Sequence, residues 1–310
     1  MIAVGAAGGR KAEALERAFA GRSLWADARR RLLRNRAAVA SMAVLAVIAL
    51  MAIFAPLLSR YSYDSIDYGI VSCAPDWWPL EATCRAGGSH WLGADSVGRD
   101  LFVRVLYGAR VSLTVGFVAT LVSLLIGVLY GAIAGYLGGR VDAVMMRAVD
   151  ILYSLPFIFF VIILMVMFDR NFFLLFVAIG AVVWLTMARI VRGQTLSAKH
   201  KEYIEAARAA GVSTFGIITR HIIPNVAGPV VVYVTLTVPD VILTESFLSF
   251  LGLGIQEPLT SWGVLISDGA NTMESAPWML VFPALFMGVT LFCFNFIGDG
   301  LRDALDPKDF

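Results

Sequence analysis

The sequence predicts an all-α, polytopic membrane protein with six transmembrane helices and both termini on the cytoplasmic side. The mean hydropathy is +0.77, and 59% of the 310 residues are hydrophobic while only 15% are charged. Because soluble domains carry about 25% charged residues, the low charge indicates a large surface that faces lipid. Six apolar runs match the roughly 20 residues that a helix needs to cross a bilayer. These observations exclude an ordinary soluble domain of this length.

The six predicted spans follow a basic cytoplasmic lead at residues 1–37 and precede a cytoplasmic tail at residues 299–310. In chain order the spans cover about Ala38 to Leu58, Val111 to Leu137, Val149 to Phe168, Phe172 to Ile190, Pro229 to Leu253 and Met279 to Gly298. Residues 59–110 are predicted to form a periplasmic loop and an interfacial helix that leads into the second span. Residues 111–298 hold the other five spans and a polar cytoplasmic insert at residues 192–228.

Glycines recur along one side of the second span. Gly127, Gly131 and Gly135 form two overlapping G-x-x-x-G patterns, and such patterns allow close contact between helices. Glycine is also common in membrane helices without this role. Both interpretations stay open on the sequence alone.

The distribution of charge predicts the orientation. Basic residues are concentrated in the lead and in the insert, whereas the segment from Gly254 to Trp278 contains no Lys or Arg. Since cytoplasmic segments of membrane proteins carry an excess of Lys and Arg, the lead, the insert and the tail are predicted to face the cytosol. Three arginines conflict with this assignment because they fall on the outer side before the second span: Arg99, Arg104 and Arg110.

Two of the three cysteines lie in the predicted periplasmic loop. Cys73 and Cys84 are close in sequence, and in an oxidising compartment they could form a disulfide. The alternative is a pair of free thiols in a loop. Cys293 lies in an apolar span and is interpreted as a small core residue.

The polar insert contains a compact helical knob. Its sequence from Lys201 to Asn225 is KEYIEAARAAGVSTFGIITRHIIPN. Good helix formers run up to Ala210, Gly211 suits the left-handed conformation that ends a helix, and Ser213 can cap a second helix. Pro224 is predicted to end that second helix. Glu205 is placed to pair with a basic side chain of a soluble partner, although a generic helical hairpin would have the same spacing.

Several motifs carry a resemblance to a known family. The residues Glu205, Ala206, Ala207, Gly211 and Pro224 resemble the EAA loop with which permeases of ABC importers dock onto their ATPases. Longer stretches resemble the C-type permease of bacterial oligopeptide importers, with dipeptide and nickel permeases as relatives: WLGADSVGRDLFVRVLYGARVSL, GYLGGRVDAVMMR, ARIVRGQTLS, RHIIPN, ESFLSFLGLG and FIGDGLRDALDPKD. The similarity covers nearly the whole chain.

This resemblance implies a multi-pass protein of the bacterial inner membrane with the type I permease fold. It implies a heterodimer with a second permease, two cytoplasmic ATP-binding subunits and a periplasmic peptide-binding protein. ATP and Mg²⁺ would be held by the ATP-binding subunits, and the five EAA-loop residues would couple them to this chain. Dipeptides or nickel remain alternative cargoes, and no nucleic-acid partner is expected.

Other classes of function lack their motifs in this sequence. There is no G-x-x-x-x-G-K-[ST] phosphate loop, no His/Cys cluster that suggests a metal site and no G-x-S-x-G nucleophile turn. The chain is therefore predicted to carry no catalytic residue, no metal and no cofactor of its own. The alternative class is an ion-coupled secondary transporter, which would need ionisable groups near the middle of the membrane.

Only the fifth predicted span offers such groups, Asp240 and Glu245. An acid within a span is costly unless it faces a partner or a wet cavity. The two lie about 140° apart on a helical wheel, so they are predicted to occupy different faces. Glu245 is predicted to lie beside the translocation path or the partner permease. Asp240 is predicted either there or in a pair with a neighbouring helix.

Overall fold

The computed structural model describes residues 24–75, 77–78, 90–167 and 172–305. Over these residues the chain is mainly helical, and a bridge of β type joins Ala94 to Asp100. The α-helices are α1 (Leu24–Arg34), α2 (Arg36–Ile53), α3 (Ala55–Leu58), α4 (Leu101–Leu137), α5 (Gly139–Ser154), α6 (Phe157–Met167), α7 (Phe172–Ala198), α8 (Glu202–Ala209), α9 (Thr214–Ile217), α10 (Ile223–Phe250), α11 (Trp262–Asn271) and α12 (Trp278–Leu305). A π-helical segment, Ile218–Ile222, joins α9 to α10.

The predicted all-α membrane fold is confirmed, with one span of unexpected shape. Five helical stretches in the described ranges are long and apolar enough to cross a membrane: Arg36–Ile53, Leu101–Leu137, Leu175–Ala198, Thr214–Phe250 and Trp278–Leu305. A pair of helices, Gly139–Ser154 and Phe157–Leu164, meets at an angle of 79° and brings the number of spans to six when the pair is counted as one span. Counted in this way, the six crossings leave Leu24 and Leu305, the ends of the described part, on one side of the membrane.

The third span was predicted to cover about Val149 to Phe168, and the structure shows a break inside this range that the sequence analysis did not predict. The helix breaks at Leu155, whose backbone is extended at φ −74° and ψ 131°. Pro156 causes the break, because a proline ring pushes the preceding residue out of the helical region and cannot donate to the turn before it. Phe168, the predicted end of the span, lies outside the described residues.

The segment predicted as an interfacial helix is continuous with the second span. Leu101 to Leu137 form one continuous helix of 37 residues, α4. Asp100 caps it, since its Oδ1 accepts a hydrogen bond from the backbone N–H of Val103 at 2.9 Å. The fourth span likewise continues past its predicted end at Ile190, because α7 extends to Ala198. Both helices therefore project beyond the apolar layer.

The glycine face of α4 packs against α7. A Cβ atom at Gly127 would lie 2.6 Å from the Cβ of Met187, and one at Gly135 would lie 2.8 Å from the Cβ of Thr195. At Gly131 it would collide with the Ala188 carbonyl. Since these distances are shorter than real Cβ contacts, the G-x-x-x-G patterns serve close helix contact.

Two of the three outer arginines lie close to one buried acid, Asp95. The Nε of Arg99 donates to Oδ2 of Asp95 at 2.7 Å, and its Nη1 lies 2.9 Å from Oε1 of Glu257. Burial lowers the pKa of Arg99, but Asp95 and Glu257 outweigh it and raise the pKa above its ordinary value. Arg104 is fully buried, with Nη1 3.3 Å from the same Asp95 oxygen and Nη2 donating to Thr260.

The third outer arginine binds the end of the first span. Arg110 donates from Nε to the carbonyl of Ala52 at 3.2 Å and from Nη2 to the carbonyl of Ile53 at 2.8 Å. These carbonyls are among those that α2 leaves unpaired at its C-terminus, where the helix dipole favours a cation. All three arginines thus have partners on the outer side, acids for Arg99 and Arg104 and helix-end carbonyls for Arg110, which makes their position there less costly.

Candidate coupling knob and membrane cavity

The helical knob of the insert, residues 201–217, is anchored by apolar side chains. In α8, Ile204 is fully buried and Ala207 is 8% exposed, and both join a core cluster with Met187 of α7 and Val128 of α4. Ile217 of α9 joins the same cluster. Because one face of the knob is part of the membrane core, a force on the knob acts directly on the spans.

The opposite face of the knob is exposed and carries the acid of the EAA pattern. Glu205 and Ala206 point outward, as a contact with a soluble partner requires. Ala207 does not, so its predicted place in that contact is corrected: it anchors the knob, because a helix with Ile204 inward also turns the residue three positions later inward.

The end of α8 has the geometry that the sequence predicts. Gly211 has φ +77°, and its N–H donates to the Arg208 carbonyl at 3.1 Å while the N–H of Val212 donates to the Ala207 carbonyl at 3.1 Å. This pair of bonds is the Schellman motif, and it satisfies carbonyls that a helix end leaves unpaired. No atom lies within 4 Å of a Cβ placed at Gly211, so only the backbone conformation demands glycine there.

The second helix begins as predicted but does not end where predicted. Oγ of Ser213 accepts a hydrogen bond from the N–H of Gly216 at 3.2 Å and caps α9. Pro224, however, lies in the first turn of α10, and the helix continues without a break from Thr214 to Phe250. The π-helical segment just before Pro224 explains this, because a first-turn proline needs no N–H and the wider turn leaves room for its ring.

Two aromatic residues of the knob were missed by sequence reasoning. Phe215 in α9 is 72% exposed, and Tyr203 in α8 is 37% exposed. An aromatic side chain on a polar cytoplasmic insert was a usable signal, since exposed aromatic residues are enriched in protein contacts. Glu205 is exposed as well, and these three residues of the knob are called the coupling surface.

Polar bonds tie the extended helices near the knob to one another. Nη2 of Arg192 in α7 donates to Oδ2 of Asp142 in α5 at 2.6 Å. Nζ of Lys199 donates to the carbonyl of Gly135 at 3.1 Å, near the C-terminal end of α4. Arg208 lies 5.8 Å from the ring centre of Tyr136. The knob and the inner ends of α4, α5 and α7 are therefore linked by charge as well as by packing.

A cavity of about 390 Å³ opens between the bent third span, α7 and α10. Asp240 and Tyr233 of α10 line it on one side, and Tyr153 lines it beside the bend. Its remaining lining mixes apolar and hydroxyl side chains: Leu152, Leu155, Phe157, Val182, Val183, Thr186, Thr237 and Thr244. Asp240 is exposed to this space, so it stays a candidate for the translocation path.

Glu245 lies inside the helix packing of the chain. Its side chain is fully buried, and it accepts hydrogen bonds from Ser112 of α4 at 3.1 Å and from Ser249 at 2.7 Å. The predicted separation of the two acids onto different faces is confirmed. The predicted place of Glu245 beside a path or partner is corrected, since a fully buried carboxylate has no surface for such contact in this conformation.

The cysteine pair of the outer loop is described only in part. Cys73 donates its N–H to the Ile70 carbonyl and accepts from the N–H of Ala94. Cys84 lies outside the described residues, so the disulfide stays a prediction. Cys293 is a buried free thiol in α12, as expected for a core residue.

Comparison with known proteins gives concordant matches along the chain. Residues 127–308 match a family described as binding-protein-dependent transport system inner membrane component. Residues 23–75 match the N-terminal TM domain of oligopeptide transport permease C. The first match covers more than half of the chain.

Individual relatives are similar over nearly their full length. The chain is 64% identical over 289 residues to the oligopeptide transport system permease protein OppC of Escherichia coli (strain K12), covering 93% of each chain. It is 62% identical over the same length to the protein of that name from Salmonella typhimurium, again covering 93% of each. It is 45% identical over 283 residues to the dipeptide transport system permease protein DppC of Bacillus subtilis, covering 91% of this chain and 85% of the relative.

Proposed function

The chain belongs to the family of binding-protein-dependent transport system inner membrane components, and from this premise we propose how it couples ATP hydrolysis to peptide import. It is a multi-pass inner-membrane permease subunit of an oligopeptide ABC importer. It is a non-catalytic membrane component of a transport system that includes other subunits. The ion-coupled secondary transporter considered from the sequence is thereby set aside.

The specific partners belong to this proposal. We propose a second permease that completes the translocation path, two cytoplasmic ATP-binding subunits that hold ATP and Mg²⁺, and a periplasmic peptide-binding protein that delivers cargo. The inner end of the bundle carries the coupling surface, and the outer end carries α11 and the loop before α4. These two ends suit a soluble subunit on each side of the membrane.

The observation that carries the coupling proposal is the two-sided knob at residues 201–217. One side exposes Glu205 and Phe215, and the other buries Ile204 and Ala207 among the spans. An exposed aromatic ring beside an acid suits a groove with an apolar floor and a basic rim. The proposed ATP-binding subunit supplies that groove.

Motion of the knob would then reach the cavity through rigid helices. The knob contacts α4, α7 and α10 in one apolar cluster, and α10 continues from α9 without a break. When the ATP-binding subunits close, they would move the inner ends of these helices together. The cavity between α7, α10 and the bent third span would open to one side of the membrane and then to the other, which is alternating access.

Phe215→Ala in the assembled importer tests this proposal. The variant should lose about tenfold or more of its uptake rate, because a truncated aromatic anchor costs about 2 kcal/mol of binding. Glu205→Ala should lose less, since an exposed ion pair contributes about 1 kcal/mol or less. Uptake and peptide-stimulated ATP hydrolysis are measured in proteoliposomes.

A matched control is Phe292→Ala, because Phe292 is similarly exposed at 67% but lies on α12, away from the knob. The control should keep the coupling of the unmodified chain. Normal uptake and normal peptide-stimulated hydrolysis in a well-inserted Phe215→Ala variant would contradict the assignment of the coupling surface.

A further inference from the structure

The carboxylate of Asp240 is an ionisable group without a partner inside a membrane span. No residue that the structure describes makes a hydrogen bond or an ion pair with its side chain; only its backbone carbonyl accepts a bond, from Thr244. It precedes the outer end of α10 at Phe250 by ten residues, a rise of about 15 Å. At that depth an acid requires water, a cation or donors around it.

The other charges near the cavity are already compensated. Arg189 donates from Nη2 to Oδ1 of Asp150 at 2.9 Å, and its guanidinium lies 4.2 Å from the ring centre of Tyr153. Glu245, one turn further along α10, is held by serine hydroxyls. Among the described residues, no basic side chain lines the cavity with Asp240 or pairs with its carboxylate.

The walls around Asp240 suit a compact cation. Tyr153 and Tyr233 are both lining residues, and aromatic faces attract cations. Thr186, Thr237 and Thr244 bring hydroxyl oxygens to the same space, and a hydroxyl that donates elsewhere still accepts. The volume of about 390 Å³ lies within the range of small-ligand pockets. It can hold the end of a peptide, while a whole oligopeptide would extend out of it.

We propose that this cavity is a subsite for an ammonium group, and that Asp240 receives the N-terminal ammonium of the peptide during its passage. The inference rests on the proposed function, because it requires peptide to pass this surface. An ammonium offers three donors, which one carboxylate and the neighbouring hydroxyls can accept. Every peptide with a free N-terminus carries this group whatever its side chains are, so the subsite orients cargo without selecting its sequence.

A transport experiment tests the proposal with Asp240→Asn and Asp240→Glu in the reconstituted importer. Peptides of one sequence are compared with a free and with an acetylated N-terminus, at saturating binding protein. Asp240→Asn should reduce uptake of the free peptide about tenfold more than uptake of the acetylated one, the size of one charge-assisted hydrogen bond. Asp240→Glu keeps the charge and should restore most of the difference. Equal losses for both peptides would overturn the subsite.

A chemical experiment tests the same contact without relying on how the binding protein treats the acetylated peptide. During turnover, a membrane-permeant carbodiimide should join Asp240 to the N-terminal amine of a lysine-free peptide as an amide, with loss of water, and mass spectrometry locates the adduct. The adduct should vanish in Asp240→Asn and with acetylated peptide. Its absence in the unmodified complex would overturn the proposal, as would a peptide-independent cross-link from Asp240 to a lysine of the second permease.

The two proposals fail in different ways. If the proposed function fails, the unmodified complex shows no peptide uptake and no peptide-stimulated ATP hydrolysis. If only the ammonium subsite fails, the unmodified complex transports normally, and Asp240→Asn does not distinguish the free N-terminus from the blocked one.

Discussion

At the residue scale, Glu245 shows that a carboxylate within a span can hold helices together through hydrogen bonds. Its oxygens accept from Ser112 of α4 and Ser249 of α10. Oγ of Ser112 in turn accepts from the N–H of Trp262, the first residue of α11, at 3.2 Å. One acid therefore joins three helices on the outer half of the bundle.

Replacement of Glu245 should affect stability more than substrate choice. Glu245→Leu leaves the hydroxyls of Ser112 and Ser249 without their acceptor, which costs about 1–3 kcal/mol. Glu245→Gln keeps an acceptor oxygen and should cost less. Thermal unfolding of the purified protein in detergent measures the difference, and a Leu variant as stable as the unmodified chain would contradict this role.

The same substitutions separate Glu245 from Asp240. Any loss of uptake in Glu245→Gln should be equal for peptides with free and with acetylated N-termini. Sequence reasoning assigned Glu245 to the path because an acid in an apolar run needs a reason. Ser249 is only four residues from Glu245, but the sequence could not show that Ser112, 133 residues away, donates to the same carboxylate.

At the element scale, the Schellman end of α8 fixes the shape of the knob. Gly211 turns the chain at φ +77° between α8, which carries the exposed Glu205, and α9, which carries the exposed Phe215. A side chain at Gly211 meets no neighbour within 4 Å. A substitution there therefore acts through backbone strain alone.

Gly211→Val should uncouple transport without preventing membrane insertion. A left-handed conformation costs a residue with a Cβ atom about 1–2 kcal/mol, and a β-branched side chain tolerates it worst. Gly211→Asn is the matched control, because asparagine adopts this conformation more readily. Peptide-stimulated ATP hydrolysis in proteoliposomes is the measurement, and full coupling in a well-expressed Val variant would count against the knob.

The prolines show what local sequence could and could not predict at this scale. Gly211 and Ser213 took their predicted roles because both depend on the nearest turn alone. Pro156 breaks its span, whereas Pro224, Pro229 and Pro239 are all accommodated in the helix from Thr214 to Phe250. Membrane helices tolerate proline where neighbouring helices or altered turns accommodate it, and those neighbours are distant in sequence.

At the scale of the whole molecule, six crossings predict two separately accessible ends. Ser213→Cys is exposed on the knob and should react with membrane-impermeant maleimide only from the cytosol. The outer probe is Gln256→Cys, since Gln256 is exposed whereas Ser261 is fully buried. It should react only from the outside, in a background that lacks the native cysteines. Reaction of both from one side would contradict the six-span arrangement.

The number of spans and the fold class could be predicted because the lipid bilayer offers no hydrogen-bond partners to the backbone. A chain in a bilayer must satisfy its backbone internally, so apolar runs of sufficient length become helices. The cavity could not be predicted in the same way. The cavity lies where the bend at Leu155 meets α7 and α10. A pattern of neighbouring residues in the sequence does not show which faces of these helices pack against one another.

The paired arginines before and within α4 have a consequence for biosynthesis. Asp95 is made four residues before Arg99, and the carbonyls of Ala52 and Ile53 are made 58 and 57 residues before Arg110. Thr260 follows Arg104 by 156 residues. The nascent chain therefore already contains one carboxylate and two carbonyls that bind these arginines when α4 is made. The contacts of Arg99 with Glu257 and of Arg104 with Thr260 form only after the second half of the protein has been made.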